Sequence, residues 1–147
     1  MTSNNPRPEA VRAWALLMRV SRQLLERVED DLKRAGLPPL VWYDVLHELA
    51  DSGEVGLRPS QIVESMLLAQ YNVSRLLARM EKQGLVARSG VDGDGRGQMV
   101  CVTEKGRKLR RDMWEVYGPA IAELVDGRLD HGELASLARL LTNLKTV

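Results

Sequence analysis

This sequence predicts a mainly α-helical fold with one small β-hairpin. Two patterns carry that reading. Apolar residues recur at helical spacing in six stretches of the 147 residues. Between the fourth and fifth, Met99, Cys101 and Thr103 alternate against Val100 and Val102 over residues 98–103, after a short strand at 85–88 and a glycine-rich loop at 89–97. Strand, tight loop and strand make a hairpin. No apolar run approaches the length of a membrane span, and no signal-peptide pattern opens the chain. A single cysteine cannot form an intrachain disulfide, so a reducing cytoplasm is the expected compartment.

Residues 1–7 are polar and proline-bearing and read as a frayed tail. One long helix follows at 8–35, with Val11, Trp14, Leu17, Met18, Ser21, Leu24, Leu25, Val28 and Leu32 on a broad apolar stripe. At 1.5 Å per residue it spans roughly 40 Å. A chain this small cannot cover it, so part of the stripe is expected to meet another subunit. Gly36 and Pro38-Pro39 end it. The second helix, 40–51, turns Val41, Trp42, Val45, Leu46 and Leu49 inward, and Ser52-Gly53 breaks it. Residues 55–57 are too short to stand as a strand but suit the edge of the hairpin sheet. Pro59 opens a third helix at the position where its missing N–H costs nothing, with Ile62, Val63 and Met66 as its apolar face.

The stretch 69–106 organises the rest. Val73, Leu76, Leu77 and Met80 form one stripe of a helix. Its other face carries Gln70, Tyr71, Asn72, Ser74, Arg75 and Arg79, and Gly84 stops it in a left-handed cap. With the third helix this is a helix-turn-helix. Thr103 caps a fifth helix bearing Leu109, Met113, Val116 and Tyr117, in which Gly118-Pro119 is expected to make a kink or a break. The last helix begins at Asp130 with Glu133 three residues on, which is capping-box spacing, and Leu134, Leu137, Ala138, Leu141 and Leu144 face one way.

Net charge is only +1, but its distribution is uneven. Residues 69–111 hold ten Lys/Arg against four Asp/Glu, giving +6; the remainder holds eleven against sixteen, giving −5. A basic patch on an otherwise acidic chain suits a polyanion. An exposed polar helix can lie in a major groove while a basic hairpin tip reaches the neighbouring minor groove.

Other chemistries fit poorly. As a calcium loop, the run from Asp92 puts Arg96 at a ligand position and Thr103 where the bidentate Glu belongs. As a phosphate cradle it lacks the Gly-Lys-Ser/Thr ending. His47-Glu48 has no second histidine at zinc spacing, and Cys101 reads as a small apolar residue. No cofactor, metal site or nucleophile–base pair is expected, so neither is an enzyme. Taken alone, the loop reads as a solvated glycine turn. Its alternative is a hairpin tip on which Asp94 holds the Arg96 guanidinium extended for a narrow groove.

The flanking residues favour the tip. Asp94-Gly-Arg96 followed by Val100, Val102-Thr103 and Gly106 resembles the wing signature of the MarR family, and residues 72–86 are similar to that family's recognition helix and the turn after it. The resemblance implies a homodimeric winged helix-turn-helix regulator. Helices at 8–35 and 104–145 would build the dimer and 38–103 the DNA-binding lobe. Gln70, Asn72, Ser74 and Arg75 would meet bases and phosphates, and Arg96, oriented by Asp94, would enter the minor groove. Ala69 stands where the family often has a Ser or Thr cap, a loss of about 1 kcal/mol. Tyr71 is bulkier than the family's usual residue there.

The expected function follows: a cytoplasmic dimer that reads a near-palindromic operator in double-stranded DNA. It is expected to repress until a small aromatic or phenolic effector binds. Trp14, Trp42 and His47 are the candidate lining of an effector cleft. The competing expectation is a winged-helix protein-interaction module without DNA binding, using the same polar helix face.

Overall fold

The computed structural model describes residues 4–68, 72–90 and 98–146. Among them, six helices and two strands follow in order: α1 (Pro8–Arg34), α2 (Leu40–Asp51), α3 (Pro59–Ser65), α4 (Val73–Lys82), β1 (Val86–Ser89), β2 (Met99–Val102), α5 (Glu104–Ile121) and α6 (His131–Leu144). They form two compact units, one from the chain up to Asp31 and from Tyr117 onward, the other spanning Leu32–Val116. No helix among the described residues is long and apolar enough to cross a membrane.

The core lies in the second unit. Leu32, Val45, Leu46, Leu49, Ile62, Leu77, Met80, Leu85, Val100 and Met113 are essentially inaccessible there. α2 places Trp42, Val45, Leu46 and Leu49 inward as its spacing predicts, but Val41 is only half-buried, and Tyr43 and Asp44 are buried instead. A helix packed on more than one side buries more than one stripe. On α3 only Ile62 is buried, and Val63, expected inward, is 52% exposed. Seven residues make two turns, so α3 presents one inward position per turn and little more.

β1 and β2 pair antiparallel, from Val86 opposite Val102 to Ser89 opposite Met99. The first strand begins one residue later than expected because Leu85 finishes the helix before it. Its N–H donates to the Met80 carbonyl at 2.9 Å, and its own carbonyl accepts from Thr103 N at 3.1 Å. Gly84, at φ +76°, makes that reversal. Leu57 joins the sheet edge opposite Val100, with N···O distances of 2.9 and 2.8 Å, as a single antiparallel bridge. A β-carbon on Gly106 would run into the Leu85 carbonyl and lie 2.8 Å from a Val102 methyl, so only glycine lets α5 start this close to β1 and β2.

Gly118-Pro119 does not break α5. The helix continues through Pro119 to Ile121 and then widens into a π-helical turn, Ala122–Asp126, closed by Gly127 N donating to the Ala122 carbonyl at 2.7 Å. Proline lacks one N–H and crowds one carbonyl, and a wider turn nearby absorbs such a misfit without ending the helix. In the same unit Arg27 bridges Asp31 of α1 at 3.3 Å and Glu123 of the π turn at 2.8 Å. α6 opens with the expected box: Glu133 N donates to Asp130 at 2.8 Å and Asp130 N to Glu133 at 3.0 Å. None of its residues is buried.

Candidate nucleic-acid interface

α4 carries the site. Its buried face is Val73, Leu76, Leu77 and Met80, which leaves Ser74, Arg75 and Arg79 on the exposed side. The helix opens at Asn72, whose side-chain oxygen accepts from Arg75 N at 3.2 Å. Asparagine is a strong N-cap, so the hydroxyl missing at Ala69 costs this helix nothing. That cap uses one lone pair of the Asn72 oxygen and leaves its amide N–H groups to donate. Among the described residues, neither Arg75 nor Arg79 is held in an ion pair. Gln70, Tyr71, Asp94 and Arg96, the other predicted contacts, lie outside the described residues.

The far end of α4 is clamped to the start of α5. Lys105 Nζ donates to the Gln83 carbonyl at 2.7 Å, and Thr103 Oγ1 donates to the Gly84 carbonyl at 2.6 Å while accepting from Gly106 N at 3.1 Å. A cation at a helix C-terminus satisfies carbonyls that the helix leaves open. Arg88 on β1 adds a looser tie. Its guanidinium lies 3.8 Å from the Glu81 carboxylate and 3.4 Å from Gln98 Oε1 at the base of β2. These contacts tie the end of α4 to β1, to the base of β2 and to the start of α5.

Two features of this unit carry no signal in the sequence. Asp44 is 5% exposed, and its carboxylate accepts from Leu68 N at 2.8 Å, in the link between α3 and α4. Arg110 of α5 lies 5.8 Å over the Tyr43 ring and donates to His47 Nδ1, and Tyr43 stacks with His47 at 5.7 Å and with Trp114 at 6.0 Å. Burial pushes the Tyr43 phenol above its ordinary pKa, and the Arg110 charge opposes that rise. Of the three residues predicted for an effector cleft, Trp42 is a core residue at 7% exposure and His47 is engaged by Arg110. Trp14, on α1 in the first unit, is 65% exposed in an open depression with Ala15, Met18, Arg19 and Arg22. Cys101, on β2, is half-buried with its sulfur 3.4 Å from the Glu54 carbonyl.

The sequence model of the MarR family matches residues 35–97, from the end of α1 through α4 and β1. The solved structure of Sco3205, a MarR family transcriptional regulator from Streptomyces coelicolor in complex with DNA, superposes with a TM-score of 0.84 at 26% identity, covering 97% of this chain and 91% of that one. Residues 35–97 thus match the MarR family, and the fold across the chain is that of a MarR family regulator. α3 and α4 both lie within the matched residues, and β1 and β2 follow them as an antiparallel pair. YfiV of Bacillus subtilis, an HTH-type transcriptional regulator, is 39% identical over 59 residues, which span 40% of this chain and 37% of that protein. The organohalide-sensing regulator RdhR-CbdbA1625, solved in its 2,4-dichlorophenol-bound form, shares the fold with a TM-score of 0.77 at 19% identity, covering 98% of this chain and 86% of that one.

Proposed function

We propose that this chain is a MarR-family regulator, a dimeric, sequence-specific DNA-binding repressor of the cytoplasm, released from its operator by a small aromatic or phenolic effector. The observation that carries the reading is the exposed polar face of α4, with Ser74, Arg75 and Arg79 opposite a fully buried stripe. In the bound state these residues, with Gln70, Tyr71 and Asn72, face the major groove. Arg96, held by Asp94, enters the minor groove. Phosphate contacts by the arginines supply salt-dependent affinity, and base-edge contacts supply sequence preference.

Dimerisation is supported by apolar surface on the first unit. α6 buries none of its residues, and Leu137, Leu140, Leu141 and Leu144 are 39–61% exposed, as are Val11, Trp14 and Met18 of α1 at 50–65%. Water-exposed apolar stripes of this extent mark association surfaces. Two recognition helices in such a dimer read half-sites about one helical turn apart, roughly 34 Å. An effector acts by favouring a dimer whose helix spacing no longer fits that turn. The phenol-bound structure of RdhR-CbdbA1625 supports the choice of effector class.

The test is a gel shift with the DNA upstream of the chain's own coding sequence, against mixed genomic DNA, over a salt series. Tight, salt-sensitive retardation of the upstream fragment is the expected result. No retardation of either DNA at low salt would overturn the reading and favour a protein-interaction module.

A further inference from the structure

Among the described residues, Asp44 is the one buried charged side chain, and the platform of α4 and hairpin makes no other use of it. It sits in the middle of α2, two residues from Trp42 and one from Val45, off the apolar stripe that the spacing predicts and yet buried. A carboxylate there gives up most of its contact with water, and a hydrogen-bond donor offsets that loss. The donor it meets is Leu68 N at 2.8 Å, twenty-four residues along the chain. Leu68 lies in the link that leaves α3. The cap of α3, Met66, has already turned extended at φ −62° and ψ 139° and closes that helix with its own N–H on the Ile62 carbonyl. Leu67 and Leu68 follow outside any helix, and Asn72 caps the start of α4.

We infer that Asp44 is a positioning residue for DNA recognition: its buried carboxylate holds the helix-turn-helix link at Leu68 and so sets the direction from which α4 enters the groove. This rests on the DNA-binding reading above. Charge alone predicts the opposite effect. Removing a negative charge would strengthen attraction to phosphate. Positioning predicts that affinity for the specific site falls while non-specific affinity, which depends on cation count rather than groove entry, stays put.

The experiment measures the ratio of affinities for the upstream operator fragment and for mixed-sequence DNA at one salt concentration. It uses the full chain and its Asp44→Ala, Asp44→Asn and Asp44→Glu variants. Asp44→Ala is expected to lower that ratio about tenfold or more, with non-specific affinity within about threefold of the parent. Asp44→Asn keeps an oxygen acceptor of the same reach, so it is expected to restore the ratio to within about threefold of the parent. Asp44→Glu keeps the charge but moves the oxygens one methylene outward, so it is expected to lower the ratio as alanine does. It also carries the test if Asp44→Ala does not fold. An unchanged ratio in both the Ala and Glu variants, or a fall in both affinities in step, overturns the inference. If the parent itself binds neither DNA, it is the DNA-binding reading that has failed.

Discussion

Arg110 grips His47 through two of its nitrogens. Nη2 lies 2.9 Å and Nε 3.3 Å from the imidazole Nδ1, joining positions sixty-three residues apart. Guanidinium can only donate, so this contact is a hydrogen bond when Nδ1 presents its lone pair and the ring proton is on Nε2. Arg110→Ala removes this bond and the cation over Tyr43 together. It is expected to lower unfolding stability by about 1–2 kcal/mol in urea denaturation. The nitrogen spectrum of the parent above neutral pH is expected to show the Nε2–H tautomer at His47. The opposite tautomer would contradict the contact.

Tyr43 predicts an alkaline effect with a definite sign. Burial raises its phenol above the ordinary value of 10.0, against a smaller opposing pull from Arg110. The folded-state pKa thus exceeds that of the unfolded chain. The stabilising contribution of the neutral ring is complete below about pH 10 and is lost as pH climbs through the folded value. A near-ultraviolet absorbance titration, differenced against Tyr43→Phe, is expected to place Tyr43 above a free tyrosine. Ionisation at or below the free value would refute it.

Gly106→Ala tests the junction between hairpin and α5. Its new methyl meets the Leu85 carbonyl and a Val102 methyl, so the start of α5 must move away from β1 and β2. The expected cost is about 1–3 kcal/mol, read as a lower melting temperature. Because Lys105 and Thr103 clamp the end of α4 from the same turn, operator affinity is expected to fall as well. Gly90→Ala, where a β-carbon meets nothing within 4 Å, is the control expected to be silent.

On the proposed DNA face, Arg75→Ala and Arg79→Ala are each expected to weaken binding across sequences. Each is expected to reduce the salt slope by about 1 for every phosphate it no longer neutralises. Arg96→Ala is expected to weaken binding strongly. Parent-like affinity in the Arg75 and Arg96 variants alike would remove the assignment of those residues.

Leu140→Glu addresses the dimer. Leu140 is 50% exposed on α6, so a charge there costs the isolated chain little. Sedimentation is expected to show a monomer at concentrations where the parent is dimeric, with operator binding lost and the far-ultraviolet spectrum retained. A variant that stays dimeric would take α6 out of the interface.

Local rules made much of this molecule legible. The bounds of α2, the Gly84 stop, the Asp130–Glu133 box, the buried face of α4 and the Leu57 bridge could all be read from the sequence. Helical periodicity and capping are decided within a few residues, so the chain alone determines them. Val63 escaped that logic because burial depends on what packs alongside, and of the kink or break expected at Pro119 the helix makes no break. Asp44 with Leu68 and Arg110 with His47 escaped it too. In sequence, an aspartate or an arginine on a helix reads as a solvated side chain. Only a fold that brings its partner from a distant segment can turn it into a buried link, since a hydrogen bond needs its two atoms at contact distance and periodicity says nothing about distance between elements.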